Sequence, residues 1–154
     1  MIITAYRITQ TKYAPSAFDG EGARLYGGRW NSAGTRMIYV AGSRSLATLE
    51  ILVHTEDIAT LSGLYSIIPV TFADKLVARV KDSELPKDWS SPEPVAATQI
   101  LGDSWVREQR SAVLEVPSAV TNEEKNYLIN PAHPDFRSIS IGLAAPFRID
   151  PRFN

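Results

Sequence analysis

The chain contains no cysteine. That excludes disulfides, thiolate zinc sites and a cysteine nucleophile together. Its only histidines are His54 and His133. They lack the tight spacing of a metal-binding pair, so no metal site is expected. No run of about 18 apolar residues occurs, which argues against a membrane span. No sign of charge dominates: 16 Lys and Arg stand against 17 Asp and Glu, for a formal net charge of −1. Such a balance gives no global field to draw in nucleic acid. The opening residues, Met1 to Arg7, show neither a basic n-region nor a cleavage-site pattern. From these absences a cytoplasmic protein is expected, with no membrane or direct nucleic-acid partner.

What is present fits one domain over residues 1–154. The mass is 17.0 kDa, with 44% hydrophobic and 21% charged residues, enough for a sizeable core without staples. Arginine supplies 11 of the 16 cations, the better choice where forked recognition of phosphate or carboxylate is wanted. The pattern predicts a strand over 2–8, a long loop over 9–26, a turn at 31–34 and a buried strand over 37–41. Ser43 or Ser45 then caps a helix reaching about residue 54. Leu46, Leu49 and Val53 form its stripe, and Glu50 shares a neighbouring face with Leu46 and His54. Strands are expected over 64–72 and 76–80, followed by a polar loop over 82–89. A helix follows over about 94–101, with Gly102-Asp103 as a candidate interruption. A strand over 112–116 ends at Pro117 and presents Ser118. Residues 126–134 read as irregular, and strands over 138–142 and 147–149 close the chain. The fold class is α+β: a single compact domain of short mixed strands with a few helices.

Three segments carry chemistry. In Gly27-Gly28-Arg29-Trp30-Asn31 the paired glycines permit a positive-φ turn or close backbone approach, and Arg29 can fork onto a diphosphate. On spacing alone the same segment reads more readily as a tight turn with a surface arginine and a packed tryptophan. It is not the dinucleotide-binding glycine fingerprint, because a third glycine and the βαβ setting are missing. Arg7, inside an otherwise apolar strand, reads on its own as an exposed edge-strand arginine; if enclosed it needs a partner, whether Glu50, another acid or a bound phosphate. Glu50 lies on an unusually apolar helix, and a carboxylate near a sugar C1 stabilises an oxocarbenium-like transition state. His54 is read as structural or as orienting Glu50. Ser118 has no Gly-x-Ser-x-Gly elbow, so it reads as a hydrogen-bonding group rather than a hydrolase nucleophile.

The order of Tyr6-Arg7-Ile8, Gly27-Gly28-Arg29-Trp30-Asn31, Ile38-Tyr39-Val40-Ala41, Leu46-Ala47-Thr48-Leu49-Glu50, Val116-Pro117-Ser118 and Asn126-Tyr127-Leu128-Ile129-Asn130-Pro131 resembles the RES domain family. The resemblance covers nearly the whole chain. It implies an ADP-ribosyltransferase-like fold and the toxin of a toxin–antitoxin pair. It further implies consumption of NAD+ as substrate by cleavage of the nicotinamide–ribose bond. ADP-ribose would then pass to water, to phosphate or to an acceptor protein. An Xre-type antitoxin would cover the pocket. By position, the resemblance implies catalytic roles for Glu50, Arg29 and Arg7. Substrate-binding roles fall to Arg7, Arg29, Tyr39, Ser118 and, by a weaker correspondence, Asn130; His133 is a similarly weak match. A catalytically silent binding module, with the arginines and Glu50 forming an ion-pair network, is the alternative from another class.

Overall fold

The computed structural model describes residues 1–61 and 63–153. Eight strands form one mixed sheet in the order β4-β5-β6-β2-β1-β3-β7, with β8 also paired to β3. The strands are β1 (Ile2–Gln10), β2 (Ile38–Ala41), β3 (Tyr65–Ala73), β4 (Val77–Arg79), β5 (Val113–Pro117), β6 (Lys125–Ile129), β7 (Ser140–Ile141) and β8 (Ala145–Pro146). Among the described residues, three α-helices accompany them: α1 (Glu21–Tyr26), α2 (Arg44–Leu52) and α3 (Ala96–Arg107). Only β4 and β5 run parallel; the other ladders are antiparallel. Among the described residues, no helix is long and apolar enough to cross a membrane.

Alternation along the strands builds two apolar faces. One gathers Ala5, Ile38, Val40, Val70, Phe72, Val113 and Ile129, and is covered by Phe18, Phe136 and Ile139. The other carries Leu114, Val116 and Leu128 beneath Trp30, Met37 and Trp105. Beside these, Ala41 packs against Leu46 and Ala47 of α2. Both helices flanking the candidate site therefore lie on this second face. Pro69 sits in β3 between the residues that pair with β8 and those that pair with β7, where a missing N–H is tolerated.

The structure differs from the sequence reading in five elements, of which the simplest is the last strand, expected over 147–149 and found at Ala145–Pro146. The loop expected over 9–26 contains a short helical turn, Thr11–Ser16, and then α1. Residues 126–134 do not begin as an irregular stretch. Their first part belongs to β6, an interior strand with ladders to both β2 and β5. Its Tyr127-Leu128-Ile129 run is buried, and the polar Lys125 and Asn126 at its start masked the strand pattern. Helix α3 runs unbroken through Gly102-Asp103. Finally, α2 buries Leu46 and Ala47, whereas Leu49 and Val53 are exposed. The packed face is completed by Ile51 and Leu52, so the expected stripe is rotated.

Between β1 and β2 the ladder has a single registered pair, Tyr6 with Ala41. Beyond it, β1 continues along β3 to Gln10, while the earlier part of β2 follows β6. A seam thus opens in mid-sheet, next to Arg7 and Tyr39.

Candidate active site

Glu50 projects from the α2 face that also carries Leu46 and Ala47. The helix starts at Ser43, whose hydroxyl accepts the Leu46 N–H at 3.0 Å, relieving one of the unpaired amides of the first turn. The Glu50 carboxylate then meets two residues from the sheet. Its Oε1 accepts from Ser118 Oγ at 2.7 Å and from Asn126 Nδ2 at 2.7 Å. Ser118 is fully buried just past β5. Its oxygen accepts the backbone N–H groups of Val120 at 3.0 Å and Thr121 at 3.2 Å. With the lone pairs so used, the hydroxyl proton is directed at Glu50. Asn126 stands opposite both Ala41 and Val116 in the ladders, which ties α2, β2, β5 and β6 to one carboxylate.

Tyr39 anchors the second part of the site. Its hydroxyl donates to Asn31 Oδ1 at 2.6 Å and accepts from the Trp30 N–H at 3.1 Å. Asn31, itself fully buried, returns its amide protons to the carbonyls of Ala23, Ser32 and Thr35 at 2.8, 3.1 and 3.1 Å. Burial raises the Tyr39 pKa; the Trp30 N–H opposes this, the Asp103 charge adds to it, and Arg29 opposes it. The hydroxyl is therefore a fixed hydrogen-bonding post at any ordinary pH.

The glycines earlier in the same segment have separate tasks. Gly27 adopts φ +71°, and a Cβ on Gly28 would stand 2.8 Å from the Tyr39 hydroxyl. A side chain at Gly28 would therefore dislodge Tyr39.

Helix α3 clamps the segment from the other side. Thr98 Oγ1 donates to the Arg29 carbonyl at 2.6 Å and Gln99 Nε2 to the Gly28 carbonyl at 3.0 Å. Asp103 accepts the Ser32 N–H at 3.0 Å and also the Ser32 hydroxyl. Gly102 sits directly against the Trp30 carbonyl, where a built Cβ would fall 1.7 Å from the oxygen. The glycine read as a helix breaker is instead the point of closest approach. With its backbone fixed at both ends, Arg29 extends Nη1 to the Trp89 carbonyl at 2.8 Å. Trp89 also packs near Trp30, with ring centroids 6.3 Å apart.

Arg7 lies at the seam. By strand alternation it leaves β1 on the face opposite Tyr6, yet its Nη1 reaches the Tyr39 carbonyl at 3.2 Å. It supplies a donor where the β1–β2 ladder has opened. Its Nε–H is shielded from solvent and has no hydrogen-bond partner. Burial lowers the Arg7 pKa, and the Asp19 charge partly restores it; an arginine so placed remains a cation at neutral pH.

The structure thus brings Glu50, Ser118 and Asn126 into direct contact, and joins Arg7, Tyr39 and the Arg29 segment through Tyr39. No ion pair links Glu50 to either arginine among the described residues. Asn130, fully buried, lies about 13 Å further along the β6 direction from Asn126. It donates to the Val106 carbonyl at 3.5 Å and accepts the Ala132 N–H at 3.0 Å. His54 is exposed, and among the described residues the side-chain bonds to Glu50 come from Ser118 and Asn126. His133 Nδ1 accepts the Asp135 N–H at 3.0 Å and caps a turn. Among the described residues, no cluster of three His, Cys, Asp or Glu is placed to hold a metal. The residues that sequence reasoning left without a task are Asn31, Thr98, Gln99, Asp103 and Asn126. Thr98, Gln99, Asp103 and Asn126 act through contacts between segments distant in the chain, which no local spacing reveals, whereas Asn31 bonds residues within eight positions of itself.

A cleft of about 370 Å³ adjoins this constellation, lined by Lys87, Trp89, Pro117 and Lys125 among others. Neither Arg7, Arg29, Tyr39 nor Glu50 lines it.

Comparison with known proteins gives the family and the fold. Residues 4–150 match the model of the RES domain. A protein named Toxin Res from Photorhabdus laumondii is 38% identical over 148 residues, covering 96% of this chain and 94% of its own length. A Prs ADP-ribosylating toxin from a Sphingobium species is 37% identical over 144 residues, with coverage of 91% and 88%. The M. tuberculosis MbcT–MbcA toxin–antitoxin complex includes a chain of similar fold. Its TM-score is 0.78 at 20% identity, over 96% of this chain and 85% of that one. With a family match running almost from end to end, and relatives well above 30% identity along most of their length, this chain belongs to the RES domain family.

Proposed function

We propose that the chain is the toxin of a toxin–antitoxin pair and that it consumes NAD+ by breaking the bond between nicotinamide and ribose. The observation that carries the reading is the Glu50 carboxylate. It is held by Ser118 and Asn126 through one oxygen, while the other accepts no hydrogen bond among the described residues. A fixed, ionisable acid of this kind suits a reaction whose transition state develops positive charge on a sugar ring.

Nicotinamide in NAD+ is already a good leaving group. The C1′–N1 bond breaks, its electron pair goes to the pyridinium nitrogen, and neutral nicotinamide departs. Positive charge builds on C1′ and the ring oxygen, where Glu50 offsets it. Oxygen of water or phosphate then bonds to C1′, any surplus proton leaving to solvent. Arg29 and Arg7 are the groups suited to the diphosphate. The Tyr39 ring borders the nicotinamide in this reading, its hydroxyl engaged elsewhere.

The decisive measurement is nicotinamide release from NAD+ by purified protein, with and without phosphate. Release would support the reading, and intact NAD+ after prolonged incubation would overturn it. A second reading, transfer of ADP-ribose to a cellular protein, draws support from the relative named an ADP-ribosylating toxin. Labelled NAD+ incubated with cell extract separates the two: label on a protein band favours transfer, and label confined to small molecules favours breakdown. An antitoxin of the Xre type that covers the pocket belongs to the same proposal, in line with the toxin–antitoxin complex that includes a chain of similar fold.

A further inference from the structure

Asn126 occupies a position where the fold calls for an apolar side chain. It pairs with Ala41 on one side and Val116 on the other, both buried and apolar, on the face that α2 covers. A β-branched or aliphatic residue would suit that strand position better. The carboxamide is also only half satisfied. Nδ2 donates to Glu50 Oε1 at 2.7 Å, whereas Oδ1 is shut away from solvent with no partner. A flipped amide would set Oδ1 against the carboxylate, so Glu50 dictates the orientation and the unmet acceptor is its cost. Ser118 has no such cost, since its oxygen is already used by two backbone amides.

Both donors converge on the same oxygen, Oε1. Two bonds from different strands, β6 and the end of β5, fix the plane and the tilt of the carboxylate, where one bond would leave it free to swing. Oε2 is left as the outward acceptor. We propose that Asn126 is a positioning residue for Glu50: with Ser118 it pins Oε1 so that Oε2 is presented to the hydroxyl or the developing positive charge of a bound sugar. This inference rests on the NAD+ reading and assigns a task that no local pattern in the sequence announced.

Asn126→Leu is the informative variant, because it removes the amide while matching the apolar strand position and deleting the unmet Oδ1. The melting temperature should be unchanged or raised. Nicotinamide release should lose about tenfold to a hundredfold in kcat, the range for a hydrogen bond to a charged group, with KM for NAD+ shifted far less. Asn126→Asp adds a pH signature. Two carboxyl groups in contact share one proton at a raised pKa, so this variant should gain activity relative to wild type as pH falls, when the protonated Asp again donates to Oε1. Wild-type kcat in Asn126→Leu, or a loss that tracks the folded fraction alone, overturns the positioning role while leaving the NAD+ reading intact. Absence of nicotinamide release from the wild-type protein overturns that reading, and this role with it.

Discussion

Glu50 carries two loads at once, and its variants should separate them. Replacement by alanine strands the Ser118 hydroxyl and the Asn126 amide, both part of one contact with Oε1. Each unmet donor costs about 1–3 kcal/mol. Glu50→Ala should therefore melt earlier as well as lose activity. Glu50→Gln keeps an acceptor oxygen for both donors and removes only the charge. It should melt within a few degrees of wild type yet lose about a hundredfold or more in nicotinamide release, as calorimetry beside a kinetic assay would show. If Glu50→Gln kept full activity, the carboxylate would be structural. Tyr39 gives a separate test at the same scale. Its folded pKa is raised by burial, so the unfolded chain loses the proton first as pH climbs. Its contribution to stability is complete below the ordinary tyrosine pKa of about 10 and declines above it, by up to about 1.4 kcal/mol per pH unit until the folded pKa is reached. Urea unfolding at pH 8 and near pH 11 should show this slope, and Tyr39→Phe should flatten it. The same variant should be less stable at pH 8, since it leaves the Trp30 N–H and Asn31 Oδ1 without their partner.

Helix α3 shows most clearly what an element contributes to a site it does not itself form. Thr98, Gln99, Gly102 and Asp103 hold residues 28–32 by side-chain bonds and by direct backbone contact. Gly102→Ala places a methyl group inside the Trp30 carbonyl, and neither backbone can yield without moving Arg29. The expected cost is about 3 kcal/mol, in the upper range of overpacking. That is a fall of about 6–12 °C for a chain of this size, and KM for NAD+ should rise. A melting temperature equal to wild type would mean that the loop relaxes freely. Glycine in a helical pattern reads as a stop when only sequence is available, which is why the interruption was expected at Gly102. Elements with a local signature were legible: β1 from its β-rich run, α2 from its serine cap, and β5 from its apolar stretch ended by Pro117. Strand β6 was not, because its pairing with β2 and β5 is non-local and its first residues are polar. The candidate site divides the same way. Glu50, Arg29 and Ser118 stood out as polar groups in apolar or glycine-rich surroundings. Asn31, Asp103 and Asn126 acquire meaning only once the chain has folded.

The sheet as a whole behaves as two ladders meeting at a seam. One half is β4-β5-β6-β2 and the other is β1 with β3, β7 and β8. They are joined by the Tyr6–Ala41 pair, by the Arg7 bond to the Tyr39 carbonyl and by α2 packing on both. A dinucleotide held by Arg7 and Arg29 while its ribose meets Glu50 would span both halves, and so would bind the folded chain alone. Glu50→Gln provides a protein that should bind NAD+ without consuming it. At about 100 times the dissociation constant, such a ligand adds about 2.7 kcal/mol, a rise in melting temperature of about 5–10 °C. Adding Arg7→Ala to that variant should lower the starting melting temperature, because the Tyr39 carbonyl loses its donor across the seam, and should also remove most of the NAD+-dependent rise. The two effects distinguish the roles. A lower baseline with an undiminished NAD+ rise would make Arg7 a structural bridge only. A lost rise with an unchanged baseline would make it a ligand group only. Loss of both is the outcome expected of an arginine that bonds the Tyr39 carbonyl across the seam and, as proposed, also holds the diphosphate.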